Sequence, residues 1–279
     1  MKGRVRSPHA SEGVSLPSYH LWGIVLSGGS TALLRRTVER AALLIPHRRI
    51  VTVTARRQPP NGRPTVALPR VQRIVQPSYR GSAPEILLPA LKLARRDPHA
   101  TVVILPGDLL IEHETRFLGY VQRAISAVEL RADVPVLLGA HPRTPDPGHG
   151  WIEPGAPVEG LECLSIHAIA RFIERPSRAE AGALFKGTGL LSTRIVIAKA
   201  RTLIELGQRY LPEVLETLEP LEAAFGRPEE PLLCDAVYEC MPQASLWRAL
   251  LVRGEIAVLP IPDIVGSEHA PPALHALAS

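Results

Sequence analysis

Two short stretches hold residues whose types and spacing suit phosphate chemistry. In the first, the apolar run Trp22 to Leu26 meets Ser27-Gly28-Gly29-Ser30, and Ser30 reads as the cap of a helix running to about Ile45. A glycine turn between strand and helix lets backbone N–H groups at a helix N-terminus face an anion. Two glycines also serve simply to turn a chain, so Gly28 and Gly29 by themselves name no ligand. In the second stretch, Ile104-Leu-Pro-Gly-Asp108 sets a carboxylate just past another apolar run. α/β proteins place ligands at the carboxyl ends of parallel strands, although an Asp after Pro-Gly also suits a plain turn. No Ser/His/Asp or Cys/His constellation is suggested by spacing. His141, His149, His167 and His269 show no metal-type pairing and read as loop or surface residues. Cys163, Cys234 and Cys240 lack a C-x-x-C spacing and read as buried, reduced thiols.

These residues need a scaffold, and the hydrophobic pattern predicts one. Strand-like segments fall at Ile24–Ser27, Ile50–Ala55, Val71–Gln76, Thr101–Leu105, Val136–Ala140, Ala168–Ile173, Thr193–Ala198 and Ile256–Ile261. Their nearly continuous apolar, β-branched character predicts burial on both faces. Helical periodicity falls at Thr31–Ile45, Ala83–Arg96, Glu114–Leu130, Arg178–Lys186, Ala200–Arg209 and Pro212–Phe225. Ser82-Ala-Pro-Glu85 and Ser177-Arg-Ala-Glu180 match the capping-box pattern at two helix starts. Pro59–Pro64 and Pro142–Pro147 read as loops. The alternation predicts an α/β fold, a mixed, mainly parallel sheet with helices on both faces.

The composition narrows the classes. A chain of 279 residues with 46% hydrophobic content can hold one large α/β domain with an ample core. The polar, basic first 20 residues lack the apolar segment of a secretory signal and read as a flexible leader, with 21–279 as a single domain. No apolar run is long enough to predict a membrane span, so the expected location is cytoplasmic. A net charge of +5, with arginines dense between Arg35 and Arg80, suits phosphorylated ligands. Nucleic acid is disfavoured because aromatic residues make up only 4% and are not interleaved with the arginines.

Four stretches in order carry a resemblance: Gln76-Pro-Ser-Tyr-Arg-Gly-Ser-Ala-Pro84, Ile104-Leu-Pro-Gly-Asp108, Gly150-Trp-Ile-Glu-Pro-Gly155 and Phe172-Ile-Glu-Arg-Pro176. Over about Leu21 to Leu274 the chain resembles the catalytic domain of mannose-1-phosphate guanylyltransferases, within the sugar-phosphate nucleotidyltransferase family. The resemblance implies a Rossmann-like nucleotide-diphospho-sugar transferase fold without an appended β-helix. It also implies transfer of a nucleotide to a sugar 1-phosphate with release of pyrophosphate. In that reaction the protein works by positioning and by neutralising charge.

What the resemblance implies residue by residue is uneven. Gly28 and Gly29 take the nucleotide turn, while Gln76 and Ser82 take positions that contact base and ribose, with Ser82 also a helix cap. Asp108 stands where the family holds Mg²⁺. The second metal position falls on Ile264, which has no oxygen to offer, so Asp263 is the nearest substitute, or else an ordinary loop Asp. Gly150, Glu174 and Ser192 take sugar-binding positions, with Ser192 in place of an amide side chain. Arg175 replaces the phosphate-binding, catalytic Lys. The family's long arm of the form G-T-R-L-x-P-L ending in P-K-Q-F, which brings an Arg and a Lys to the triphosphate, has no counterpart: Ser30 leads straight into Leu33-Leu34-Arg-Arg36. Two function classes follow. One is a divergent transferase using Mg²⁺, in which Arg35, Arg36 or Arg175 replaces the arm. The other is a catalytically silent protein that binds a sugar nucleotide or partners an active paralogue; in either class the expected protein partner is a second copy, as a homo-oligomer, or such a paralogue.

Overall fold

The computed structural model describes residues 20–26, 28, 30–57, 68 and 70–267. The expected leader, Gly29, the Pro59–Pro64 loop and His269 lie outside the described residues. The chain runs β1 (Leu21–Leu26), α1 (Thr31–Ala41), β2 (Ile50–Arg57), β3 (Gln72–Ser78), α2 (Ser82–Arg96), β4 (Thr101–Pro106), β5 (Leu109–Ile111) and α3 (Glu114–Leu130). It continues through β6 (Val136–Ala140), β7 (Gly150–Pro157), β8 (His167–Glu174), α4 (Arg178–Lys186), β9 (Leu190–Lys199), α5 (Ala200–Tyr210) and α6 (Pro212–Glu222). Last come α7 (Glu230–Cys240), α8 (Leu246–Val252), β10 (Ala257–Ile261) and β11 (Val265–Ser267).

Nine strands form one mixed sheet in the order β3-β2-β1-β4-β9-β6-β10-β8-β7, and β11 and β5 make a separate ribbon. β3, β2, β1 and β4 are mutually parallel, as are β6 and β10. β9 runs antiparallel between β4 and β6, and β8 and β7 close the far edge antiparallel. This is the α/β architecture the alternation predicts.

Both faces of the sheet are covered because β1, β6 and β10 are apolar throughout, and the period of two divides each strand between two cores. Trp22, Ile24 and Leu26 of β1 and Val102 and Ile104 of β4 pack with α2, α5, α6 and α8. Leu21 and Val25, with Val103 and Leu105, pack on the opposite side with α1 and α3. Each fully buried aliphatic side chain contributes roughly 1.5–3 kcal/mol to holding these layers together. A smaller cluster of Trp151, Ala181 and Leu184 ties β7 to α4. Ser177 and Glu180 form the expected capping box at the start of α4. The cysteines are free, but Cys163, in a short 3₁₀ turn, and Cys240, the last residue of α7, are exposed rather than buried.

Candidate functional site

The register of two parallel strands brings the first pair of predicted residues together. Leu26 of β1 lies opposite Pro106 of β4. Gly28 and Asp108, each two residues further on, therefore leave the sheet side by side at its carboxyl rim. A Cβ built on Gly28 would sit 3.7 Å from the Cβ of Asp108. Strand order reverses here, since β1 pairs with β2 on one side and β4 on the other, and such switch points open the crevice that α/β folds use for ligands. Ser30 caps α1 as its sequence predicts, accepting from the Leu33 N–H at 3.3 Å.

A second group converges on the same rim from the antiparallel half. Ser192 of β9 pairs with Gly139 of β6, whose carboxyl end points the same way as that of β4. Gly150 begins β7 opposite Glu174 of β8. A Cβ on Gly150 would lie 3.7 Å from the Ser192 Cβ and only 2.9 Å from the Phe172 ring. Gly150, Glu174 and Ser192, the predicted sugar-binding residues, are thus neighbours. The Glu174 carboxylate lies 3.7 Å from Arg248 of α8. Arg175 follows at the end of β8, exposed and with a positive φ of 60°.

The start of α2 departs from its local signal. Ser82 is the first helical residue rather than the cap, and Gly81 before it has φ 88° and ψ 176°. The Ser82 hydroxyl accepts from the Leu246 N–H at 3.1 Å and so braces the start of α8, a role that depends on a segment 164 residues away. Gly81 passes so close to Ala244 that an added Cβ would lie 2.2 Å from its carbonyl oxygen. Its backbone conformation is also essentially restricted to glycine. Gly81→Ala is expected to cost about 2–4 kcal/mol of stability in urea denaturation, against the usual ~1 kcal/mol for a substitution. An unchanged midpoint would show that this loop can move away freely.

Glu85, freed from a capping role, is buried, and burial pushes its carboxyl up to about 8 although the nearby Arg194 charge opposes this. Gln76 is also buried, 1% exposed, beside Tyr238 of α7. The predicted base contact therefore lies under a helix that the hydrophobic pattern did not reveal.

Arg194 is the functional candidate that sequence reasoning missed. Val196 of β9 lies opposite Ile104 of β4, so the antiparallel register carries Arg194 to the end of β4 and toward Asp108. Its Nη2 stands 3.5 Å from Asp108 Oδ2. Between Ser192 and Val196 the pairing with β6 slips: four steps on β9 span the two between Leu137 and Gly139. The Thr193 hydroxyl pins this bulge by donating to the Leu138 carbonyl at 2.6 Å. Arg194 takes φ 60° within it, a strained conformation for a side chain of this size. The sequence signal was slight, a charged residue interrupting an apolar strand.

The carboxylates expected to hold Mg²⁺ are not brought together. β11 pairs antiparallel with β5, Ser267 opposite Leu109 and Val265 opposite Ile111, and the Glu112 N–H donates to the Ile264 carbonyl. Asp263 therefore lies at least four residues along this ribbon from Asp108, roughly 13 Å at 3.3 Å per residue. Its carboxylate is engaged by Arg143, which also grips Glu112 at 2.7 and 3.0 Å. Ile264 is 2% exposed and packs in the core. Among the described residues no group of three or more His, Cys, Asp or Glu could hold a metal ion. What stands against a divalent cation at Asp108 is the Arg194 guanidinium 3.5 Å from its carboxylate, a like charge already in the cation's place.

The layered α/β sheet is the fold of a nucleotidyl transferase. The chain belongs to the nucleotidyl transferase family, whose model matches residues 24–224. It is 28% identical over 195 residues to the mannose-1-phosphate guanylyltransferase of Escherichia coli (strain K12), covering 67% of this chain and 39% of that protein. It is 27% identical over 147 residues to the xanthan biosynthesis protein XanB of Xanthomonas campestris pv. campestris (strain B100), covering 52% and 30%. The chain thus spans about a third to two fifths of the length of such relatives. In fold it is similar to the solved structure described as mannose-1-phosphate geranyltransferase from Thermus thermophilus, with a TM-score of 0.72, 23% identity, and coverage of 86% of this chain and 74% of that one. Among the described residues no helix is long and apolar enough to cross a membrane.

Proposed function

We propose that this protein binds a nucleoside-diphosphate sugar in the rim cleft and carries out the guanylyl transfer of its mannose-1-phosphate guanylyltransferase relatives slowly or not at all. The observation that carries the reading is the convergence of two residue groups at one edge. Gly28 and Asp108 stand on the parallel side, and Gly150, Glu174 and Ser192 stand on the antiparallel side. A nucleotide and a hexose joined by a diphosphate match that division in both chemistry and layout. The conversion machinery is thinner: the described residues supply neither a second carboxylate beside Asp108 nor a basic arm. Arg35 and Arg36 are exposed on α1, and Arg36 lies close enough to Arg40, a turn further from the rim, to repel its charge.

Titration calorimetry with GDP-mannose tests the binding half of this reading. Saturable binding is expected with a Kd of about 0.1–1 mM, which corresponds to roughly 4–5.5 kcal/mol. Absence of heat at several millimolar ligand would remove sugar-nucleotide binding from consideration.

A further inference from the structure

We propose that Arg194 is the cation of this cleft: its guanidinium, oriented by Asp108, takes the phosphate oxygens of the bound ligand in place of a divalent metal. The inference rests on the reading of the rim as a phosphorylated-ligand site, and it concerns how the phosphate charge is met there. Three independent observations carry it.

The first is position. Asp108 is the one predicted metal carboxylate at this rim, and a guanidinium already stands 3.5 Å from it. The second is accessibility. The Arg194 side chain is 54% exposed while that of Asp108 is 15% exposed, so an incoming anion meets the guanidinium before the carboxylate. One carboxylate leaves most of the five guanidinium donors unused, and their planar fork matches phosphate geometry. The third is backbone cost. Arg194 is held at φ 60° in a bulge braced by Thr193. A long side chain is disfavoured in this conformation, which glycine adopts freely. Strain of this kind persists where the surrounding structure fixes it, and it clusters at ligand sites. Here the bulge turns a residue from a buried strand out over the end of β4.

The arrangement separates two ways of meeting a diphosphate. A Mg²⁺ site would need Asp108 free of the guanidinium, with the ligand's phosphate oxygens and water completing the shell. An arginine site needs no metal, and to orient the guanidinium it needs only an acceptor oxygen at position 108, which an amide supplies as well as a carboxylate. Asp108 on this reading competes with the ligand for the guanidinium, so removing its charge should not weaken binding.

The test uses the full chain, with two probes in buffer containing EDTA. Inorganic pyrophosphate reports phosphate recognition alone, and GDP-mannose reports the whole ligand. Arg194→Gly relieves the backbone strain, so it is expected to melt at the same temperature as the unmodified protein or higher while losing at least tenfold in pyrophosphate affinity. Arg194→Lys keeps the charge without the fork and should fall between the two. Asp108→Asn keeps an acceptor oxygen for the guanidinium and removes the competing negative charge, so it should bind pyrophosphate more tightly than the unmodified protein. Binding of either probe that vanishes in EDTA and returns with Mg²⁺ would overturn the proposal, as would Arg194→Gly binding pyrophosphate normally. No pyrophosphate binding by the unmodified protein would overturn it as well. Retained pyrophosphate binding with no response to GDP-mannose would instead sink the sugar-nucleotide reading and leave Arg194 as a phosphate site.

Discussion

Raising the pH from about 5 to about 9 is expected to destabilise the fold by roughly 3–6 kcal/mol through Glu85 alone. Glu85 sits in α2 among Ile86, Leu87 and Leu88, and its carboxyl is pushed up to about 8 by burial. The sign follows from proton counting. Between the unfolded value of 4.5 and the folded value, the native state holds a proton that the unfolded chain has released. Stability is therefore full below about pH 4.5, falls as the pH rises toward 8, and levels off above it. Asp97 and Glu129 act in the opposite direction and in another window. Hydrogen bonds from Trp22 and His20 to Asp97, and from Lys199 and Thr101 to Glu129, hold both below the usual carboxylate range against their partial burial. Their contribution is lost only as the pH drops through the acid region. Urea denaturation at pH 5, 7 and 9 should show a decline that Glu85→Gln abolishes, with the variant the more stable protein above pH 8. Parallel pH profiles for the two proteins would mean that Glu85 is ionised and solvated in the fold. The same experiment reads Arg194, whose charge favours the ionised Glu85: Arg194→Gly should move the decline to lower stability at high pH and raise its midpoint.

What could be read from the sequence was local. Val136–Ala140, Glu114–Leu130 and Arg178–Lys186 have the bounds that their hydrophobic runs and, for the last, the Ser177–Glu180 box predict. Each depends on neighbours within a few residues, which is what a periodicity argument sees. The pairing of Gly28 with Asp108 was also within reach, because two parallel strands of similar length deliver their following residues to one rim. The misses share a cause of the opposite kind. α7 buries only Val237 and Tyr238, too few to give a clear helical stripe, although it covers Gln76. β7 carries Gly150, Pro154, Gly155 and Pro157, which break its strand pattern; beyond Ile152 it pairs with β8 alone, and on such an open side prolines are tolerated. Ser82-Ala-Pro-Glu85 has the letters of a capping box, but α8 claims the serine and the core claims the glutamate. Arg194 owes its place to a slip in register between β9 and β6, which no local pattern encodes.

With GTP and mannose 1-phosphate, pyrophosphate release is expected to run at least ~10³-fold below the roughly 1 s⁻¹ that marks the slow end of typical enzymes. The reaction asks the protein to hold the attacking phosphate in line and to stabilise charge moving onto the leaving pyrophosphate. Removing one such electrostatic contact typically costs ~10²–10³ in rate. Here the turn after Gly28 enters α1 directly through Ser30, with Arg35 and Arg36 a turn away and exposed. Asp263 is held by Arg143 at the far end of the β5–β11 ribbon from Asp108. Such losses seldom multiply in full, but they need not do so for the effect to be large. The fold also limits repair. Ser192→Asn places an amide beside Gly150 at modest risk, whereas Ile264→Asp puts a carboxylate into a site that is 2% exposed. Burying an unpaired carboxylate costs several kcal/mol or drives it neutral, and a neutral acid is a poor cation ligand. The double variant Ser192→Asn with Ile264→Asp is therefore expected to lose stability without gaining turnover. A coupled phosphate assay on the unmodified protein is the direct measurement. Release at about 1 s⁻¹ or faster would show that the rim completes the transfer with Asp108 and its arginines alone.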